Sequence, residues 1–167
     1  MLCSLISLQA TGRGKLPDVV DRKTRSRMMS GIRSRDTKPE RVIRSALHRM
    51  GFRFRLHSRK VAGRPDLVLA KYHAAIHVHG CFWHGHDCDL FQQPGTRIAF
   101  WKKKLNQNRR RDREVLKRTL DAGWRHLTIW ECALRGPRRL GLETTTLRAA
   151  GWIRSSRKTG VLRSRTR

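Results

Sequence analysis

The sequence predicts an α/β domain in which a mixed β-sheet is flanked by helices. Three observations carry that expectation. Short apolar segments at 52–56, 66–70 and 74–79 follow one another with tight connections, as in an antiparallel meander. A long amphipathic stretch from Thr96 to about residue 121 then separates them from a fourth segment, 124–131, a spacing that suits a crossover helix. Between the third strand and that helix lies a loop, 80–96, crowded with cysteine, histidine and aromatic residues.

Each element has its own signal. Residues 20–33 read as a short basic helix or arm. Asp36–Thr37 offer an N-cap, Pro39 suits the first turn, and Glu40 stands where a capping-box acid belongs. Val42, Ile43, Ala46, Leu47 and Met50 follow at helical spacing and Gly51 stops the run, so a helix is expected over 38–50. F-R-F-R-L (52–56) alternates strictly, as a half-buried strand does. Gly63 and Pro65 mark a turn before the strand D-L-V-L-A (66–70), and Lys71–His73 turn into A-A-I-H-V-H (74–79). In the long helix Ile98, Trp101, Leu105 and Leu116 fall on one arc. A weaker helix is expected between about 138 and 150. Residues 1–17 show no periodicity and are expected to be a disordered leader; residues 155–167 are expected to be a basic disordered tail.

Composition bounds the function. The 167 residues fit one domain, here 18–154. Lysine and arginine number 39 against 12 acidic residues, a net charge of +27. Such a chain binds polyanions. No apolar run approaches the roughly 20 residues of a bilayer-spanning helix, so no membrane role is expected. Four cysteines are too few for a disulfide-stapled secreted domain. The middle of the chain is the least basic part and holds nearly all the unusual residues, which suggests that charge grips a partner while the middle does chemistry.

Two constellations stand out there. Cys81, His86 and Cys88 lie within eight residues, and Cys132 follows the fourth strand. Thiolates and an imidazole with a distant fourth donor are what a tetrahedral structural zinc requires, and a long polar loop needs such a staple. His84 is a competing donor by spacing alone, and Cys132 alternatively is a buried apolar cysteine. The second constellation begins with Asp66 at the head of a strand. His77 and His79 share one face of the next strand, since side chains alternate there. A strand-head carboxylate beside two imidazoles suits a hard cation and a phosphate, although either histidine alone reads as an ordinary strand residue. Asp112 falls on the covered arc of the long helix and needs a partner, either a histidine or one of Arg109, Arg110, Arg111 and Arg113. Phe82 and Trp83 sit beside Cys81 in a polar loop and Trp101 opens the basic run W-K-K-K, which suits stacking on bases or a small satellite core.

These residues form a pattern that resembles the very-short-patch repair endonucleases, the Vsr family of mismatch-specific nicking enzymes. The matching stretches are D-x-x-T-R-S-x-x-M (21–29), R-D-T (35–37), G-R-P-D (63–66), H-G-C-F-W-H (79–84), H-x-C (86–88), F-W (100–101), R-D-R (111–113), G-W-R (123–125) and I-W-E-C-A-L-R-G (129–136). The resemblance implies a restriction-endonuclease-like fold and a magnesium-dependent nick 5′ to the thymine of a T·G mismatch left by deaminated 5-methylcytosine. It implies that Asp66 binds the metal, with the backbone carbonyl of residue 78 as a second donor. His79 stands in place of the usual nuclease lysine, His84 is the base that activates water, and Asp112 is its acidic partner. Glu40 helps to hold metal-bound water. Cys81, His86, Cys88 and Cys132 hold the zinc, which places His84 outside the zinc shell, and Phe82, Trp83 and Trp101 intercalate beside the mismatch. It further implies a monomer acting on duplex DNA, helper proteins of mismatch repair, and a bacterial cytoplasmic, nucleoid-associated setting.

Two departures are visible. Val78 stands where the family has threonine, which a backbone-carbonyl role tolerates. The histidine run after Trp83 is thinned by Gly85 and Asp87. Two rival readings remain at this level: a restriction-type endonuclease that cuts matched DNA, and a non-catalytic zinc-stabilised nucleic-acid binder. The latter leaves Asp66, His79, His84 and Asp112 without a purpose.

Overall fold

The computed structural model describes residues 35–165 together with Lys23, Thr24 and Arg27. Those three are helical and belong to a separate unit, Met1–Ile32; the other described residues belong to the unit Arg33–Arg167. The expected leader and nearly all of the expected basic arm lie outside the described residues.

Helix α1 (Lys38–Arg49) starts as its capping signals require. Thr37 Oγ1 accepts from the Glu40 N–H, and the Glu40 carboxylate accepts from the Asp36 N–H at 2.9 Å and the Thr37 hydroxyl at 2.7 Å. Strands β1 (Leu67–Leu69) and β2 (Ala74–His79) form an antiparallel pair joined by a 3-10 turn at Ala70–Tyr72. Helix α2 (Ile98–Asp121) crosses over to β3 (Arg125–Trp130), which lies parallel to β2. A short α3 (Glu131–Leu134), a longer α4 (Leu142–Arg154) and β4 (Thr159–Leu162), parallel to β3, complete the unit. The sheet order is β1-β2-β3-β4. The structure is therefore α/β with a mixed sheet flanked by helices.

The two sheet faces differ in chemistry, because side chains alternate along each strand. Leu67, Leu69, Ile76, Val78, Leu127 and Ile129 point to one face and pack with Ile43 and Leu47 of α1 and Ala149, Trp152 and Ile153 of α4. This is the main core. The other face carries Ala75, His77 and His79 of β2, registered against His126, Thr128 and Trp130 of β3. Arg125 fastens α4 to the sheet: its guanidinium donates to the carbonyls of Trp152, Ile153 and Ser155 at the helix end and to the Tyr72 carbonyl.

Four expectations need correction. The alternating segment 52–56 does not form a ladder. Only Arg55 pairs, with Val68, through reciprocal bonds of 2.9 and 2.8 Å. Phe52 and Phe54 do turn toward the core, but Leu56 is exposed and His57 takes a left-handed φ of 47°, which ends the extended run. The start of α2 is capped by left-handed Arg97, one residue after Thr96. The weak helix expected over about 138–150 lies instead at Leu142–Arg154.

The largest correction concerns the expected disordered tail. Residues Thr159–Leu162 are a strand in register with β3, from His126↔Thr159 to Ile129↔Leu162. Four residues among flanking basic groups carry too little pattern to outweigh the tail's composition. Gly160 is what lets the strand approach: a Cβ there would lie 2.6 Å from Trp152 Nε1 and 2.9 Å from Leu127 Cδ1. Gly160→Val is therefore expected to destabilise the protein by about 1–3 kcal/mol, the cost of forcing a side chain into a packed layer. Chemical denaturation reads this directly, and an unchanged midpoint counts against β4 as a packed strand.

Candidate active site and metal centre

The parallel register of β2 and β3 builds the site. His79 pairs with Trp130, the last residues of their strands. Two residues beyond each come Cys81 and Cys132, which are thereby neighbours although far apart in sequence. The loop returns His86 and Cys88 to the same point, and the four ligand atoms lie within 4.8 Å of one another. His86 Nδ1 stands 3.7 Å from Cys81 Sγ and 3.5 Å from Cys132 Sγ. Four ligands around one tetrahedral ion with metal–ligand bonds of about 2.0–2.3 Å stand about 3.5–3.8 Å apart, so the donors fit such an ion. The His86 ring is stacked on Trp130 at 3.9 Å between centroids. Hydrogen bonding from the Cys81 thiol holds Cys132 well below the ordinary thiol range.

The segment after β4 straps this cluster. The Ser164 N–H donates to Cys132 Sγ at 3.3 Å, and the Arg163 guanidinium donates to the Asp87 carbonyl at 2.7 Å. Arg138 binds the Asp89 carboxylate through two guanidinium nitrogens, and the Arg165 N–H donates to the Arg138 carbonyl at 3.0 Å.

Beside the cluster, His84 Nδ1 meets Asp112 Oδ2 at 2.5 Å. The histidine alternative for the partner of Asp112 is the one the structure realises. The His84 ring is stacked on His79, with centroids 4.0 Å apart and planes within 4°. One ring nitrogen each of His79 and His84 and an oxygen of Asp112 lie within 4.8 Å of one another. Behind them His77 stacks on His126 at 4.7 Å. Burial pushes His77 down to about 3 and His126 down to about 4, and it holds His79 well below the ordinary imidazole range. These three rings are neutral at neutral pH and form an uncharged wall behind His84. A shallow pocket of about 290 Å³ opens here, lined by His84, Asp112, Trp130, Arg109 and Arg113 among others. The Arg113 guanidinium at this pocket suits a phosphate.

Asp66 lies at the other flank of β2. The last β1–β2 pair is Leu67↔Ile76, and beyond it the Val78 N–H is taken by Asp66 Oδ2 at 2.7 Å. His57 Nδ1 stands 3.8 Å from Oδ1. Burial, and after it the nearby Glu40 charge, push the Asp66 carboxyl up to about 7 against the opposing Val78 hydrogen bond. A carboxyl so placed favours either a proton or a cation. Glu40 itself is buried, with both its oxygens engaged by the start of α1. Asp66 thus accepts from the backbone of Val78, and the next residue, His79, stacks on His84.

Phe82, Trp83 and Trp101 meet as one half-buried cluster. Phe82 is edge-on to Trp83 and to Trp101, each at 5.1 Å. Several neighbours escaped the sequence reading: His126, Trp130, His57, Asn108 and the strap residues, while Arg109, weighed there as a partner of Asp112, binds the loop carbonyls of His84 and Gly85 instead. The period-2 pattern of 125–130 places His126 and Trp130 on one face, but only the register shows which face of β2 they meet.

A carboxylate-backed imidazole, a buried strand-head carboxyl and a guanidinium at the pocket, on a strongly basic α/β domain, suit a nuclease-type phosphodiester hydrolase. Comparison with known proteins agrees. The profile of the family described as DNA mismatch endonuclease Vsr matches residues 17–90. The chain is 45% identical to the DNA mismatch endonuclease Vsr of Escherichia coli (strain K12) over 83% of its own length and 88% of the relative's. It is 40% identical to the type II nicking enzyme V.XorIIP of Xanthomonas oryzae pv. oryzae, over 71% and 88% of the two chains. The type II nicking enzyme V.NmeAIP of Neisseria meningitidis is 36% identical over 72% and 86%. The chain belongs to the Vsr DNA mismatch endonuclease family and is a DNA endonuclease.

The state of Asp66 is testable through stability. Its carboxyl holds a proton more tightly folded than unfolded, so this group favours folding at low pH. That contribution is lost as pH rises from about 4 to about 7. Asp66→Asn stays neutral throughout. Without added divalent metal, its stability relative to the parent is expected to climb over that window by up to about 4 kcal/mol. Urea titrations of both proteins from pH 4 to 8 measure the difference; a pH-independent difference contradicts the burial of this charge.

Proposed function

We propose that the protein nicks one strand of duplex DNA 5′ to the thymine of a T·G mismatch left by deaminated 5-methylcytosine. The observation that carries this is the His84–Asp112 pair stacked beside His79 at the end of the strand whose backbone Asp66 touches. In this reading Asp112 accepts from Nδ1 of His84, which fixes the tautomer and leaves Nε2 as the base that removes a proton from water. His79, neutral through burial, borders the reacting phosphate without competing for that proton. Arg113 at the pocket rim draws the phosphate toward His84. Asp66 and the Val78 carbonyl are the groups that would hold magnesium, and the buried carboxyl fits a cation. When bound, that ion stabilises negative charge on the phosphate and the leaving oxygen. Glu40 adds a second buried carboxylate near Asp66, suited to ordering water there.

Three thiols and an imidazole at tetrahedral spacing suit zinc, which would pin the loop carrying His84. The hairpin β1–β2 with a carboxylate at its head, extended by parallel strands, supports a restriction-endonuclease-like fold. Phe82, Trp83 and Trp101 form a hydrophobic wedge of the kind that enters an easily unstacked mismatched step. The exposed Lys102, Lys103, Lys104, Arg110 and Arg111 of α2 supply phosphate contacts and a strong salt dependence. A cut in one strand needs one such site, so a monomer suffices. Its substrate sets its workplace on the bacterial nucleoid, where mismatch-repair proteins act as helpers.

His84→Ala and Asp66→Ala are expected to bind a T·G duplex and to nick it at least about 1,000-fold more slowly than the parent. Digesting T·G and matched duplexes side by side, with and without magnesium, is the test. Full nicking by Asp66→Ala removes the metal-hydrolysis reading, and double-strand cutting of matched DNA favours a restriction-type enzyme. The strap makes a separate prediction. Ser164→Pro lacks the N–H that reaches Cys132, and zinc release to a chromophoric chelator is expected to be about 10-fold faster or more. Release at the parental rate discards the strap as a support of the metal.

A further inference from the structure

Three consecutive carbonyls of the loop bearing His84 are held by one turn of α2. Asn108 Nδ2 donates to the Trp83 carbonyl at 2.6 Å. Arg109 Nε donates to the His84 carbonyl at 3.2 Å, and its Nη2 donates to the Gly85 carbonyl at 2.9 Å. Asp112, one turn further on, holds the His84 ring. Residues 108, 109 and 112 share a helix face by their spacing, so backbone and side chain of His84 are gripped from one rigid element. The grip depends on an absence at position 85. Gly85 has φ 57°, and a Cβ built there would lie 2.9 Å from Arg109 Cζ and closer still to Nη2. The guanidinium occupies the space that any other residue's side chain would need.

We infer that Arg109 is a positioning residue for the nicking reaction, using the space above Gly85 to clamp the loop carbonyls and hold His84 in line with Asp112. The inference rests on the reading of His84 as the base. Arg109 is solvent-exposed and basic, so the competing account is a simple phosphate contact. The two differ in what they change. A clamp alters the geometry of the bound complex and shows in kcat, because small misplacements of a reacting group cost one to two orders of magnitude. A phosphate contact alters affinity and lowers the salt slope by about one.

The test is single-turnover and steady-state nicking of a T·G duplex by the full chain, with metal content and circular dichroism as checks of folding. Arg109→Ala is expected to lower kcat about 10- to 100-fold, with KM and the salt slope within two-fold of the parent, and Arg109→Lys to fall between. Gly85→Asn keeps the left-handed turn, which asparagine tolerates, but adds a Cβ. It is expected to lower kcat alone, and to add less than two-fold in the Arg109→Ala background, where the space is vacant. Arg109→Gln gives the same readout should the alanine variant misfold. An unchanged kcat, a loss confined to KM and salt slope, or a Gly85→Asn penalty undiminished without Arg109 overturns the inference. Full nicking by His84→Ala would instead remove the parent reading; an inactive His84→Ala beside a fully active Arg109→Ala removes only the clamp.

Discussion

The site depends on one constraint, the parallel pairing of β2 with β3 in the register that sets His79 opposite Trp130. Parallel strands end on the same side, so whatever follows each strand meets its counterpart. Here the followers are Cys81 and Cys132. A slip of two residues would leave the thiols unable to share an ion with His86. A slip of one would also turn His77 and His79 to the apolar face under α1 and α4. The cysteine–histidine cluster and the histidine wall are thus two consequences of one register.

The sheet divides its labour by face. The face under α1 and α4 is apolar and carries the stability. The face toward α2 carries histidines that burial keeps uncharged. Neutral imidazoles can be packed ring on ring where charged ones could not, and the Asp112 carboxylate meets the His84 ring at its Nδ1. α2 serves as a bracket, inward through Asn108, Arg109 and Asp112, outward through a row of lysines and arginines. One helix therefore carries both the exposed basic row assigned to phosphate contacts in the proposed function and the side chains that hold His84.

The C-terminal segment shows how composition misleads. Its arginines and serines read as a solvated tail, yet Thr159–Leu162 complete the sheet and Ser164 reaches Cys132. Arg163 there works locally: it holds the loop at Asp87, as Arg138 does at Asp89. A basic residue bound to a neighbouring carbonyl or carboxylate has the same composition as a free one, so charge counting cannot separate them.

What was legible in the sequence is what short-range chemistry dictates. The capping box placed α1, period-2 alternation put His77 and His79 on one face, and the buried arc of α2 demanded a partner for Asp112. The donor set Cys81, His86, Cys88 and Cys132 was readable from residue type and spacing, while the exclusion of His84 from it came from the family resemblance. Tertiary structure decided the rest. It chose His84 over four arginines for Asp112, seated Arg109 on Gly85, brought His126 and Trp130 to the histidine wall, and turned an expected tail into a strand. Each of these rests on the register between segments distant in the chain, and pairing across such distances is set by the packing of whole faces rather than by local residue order.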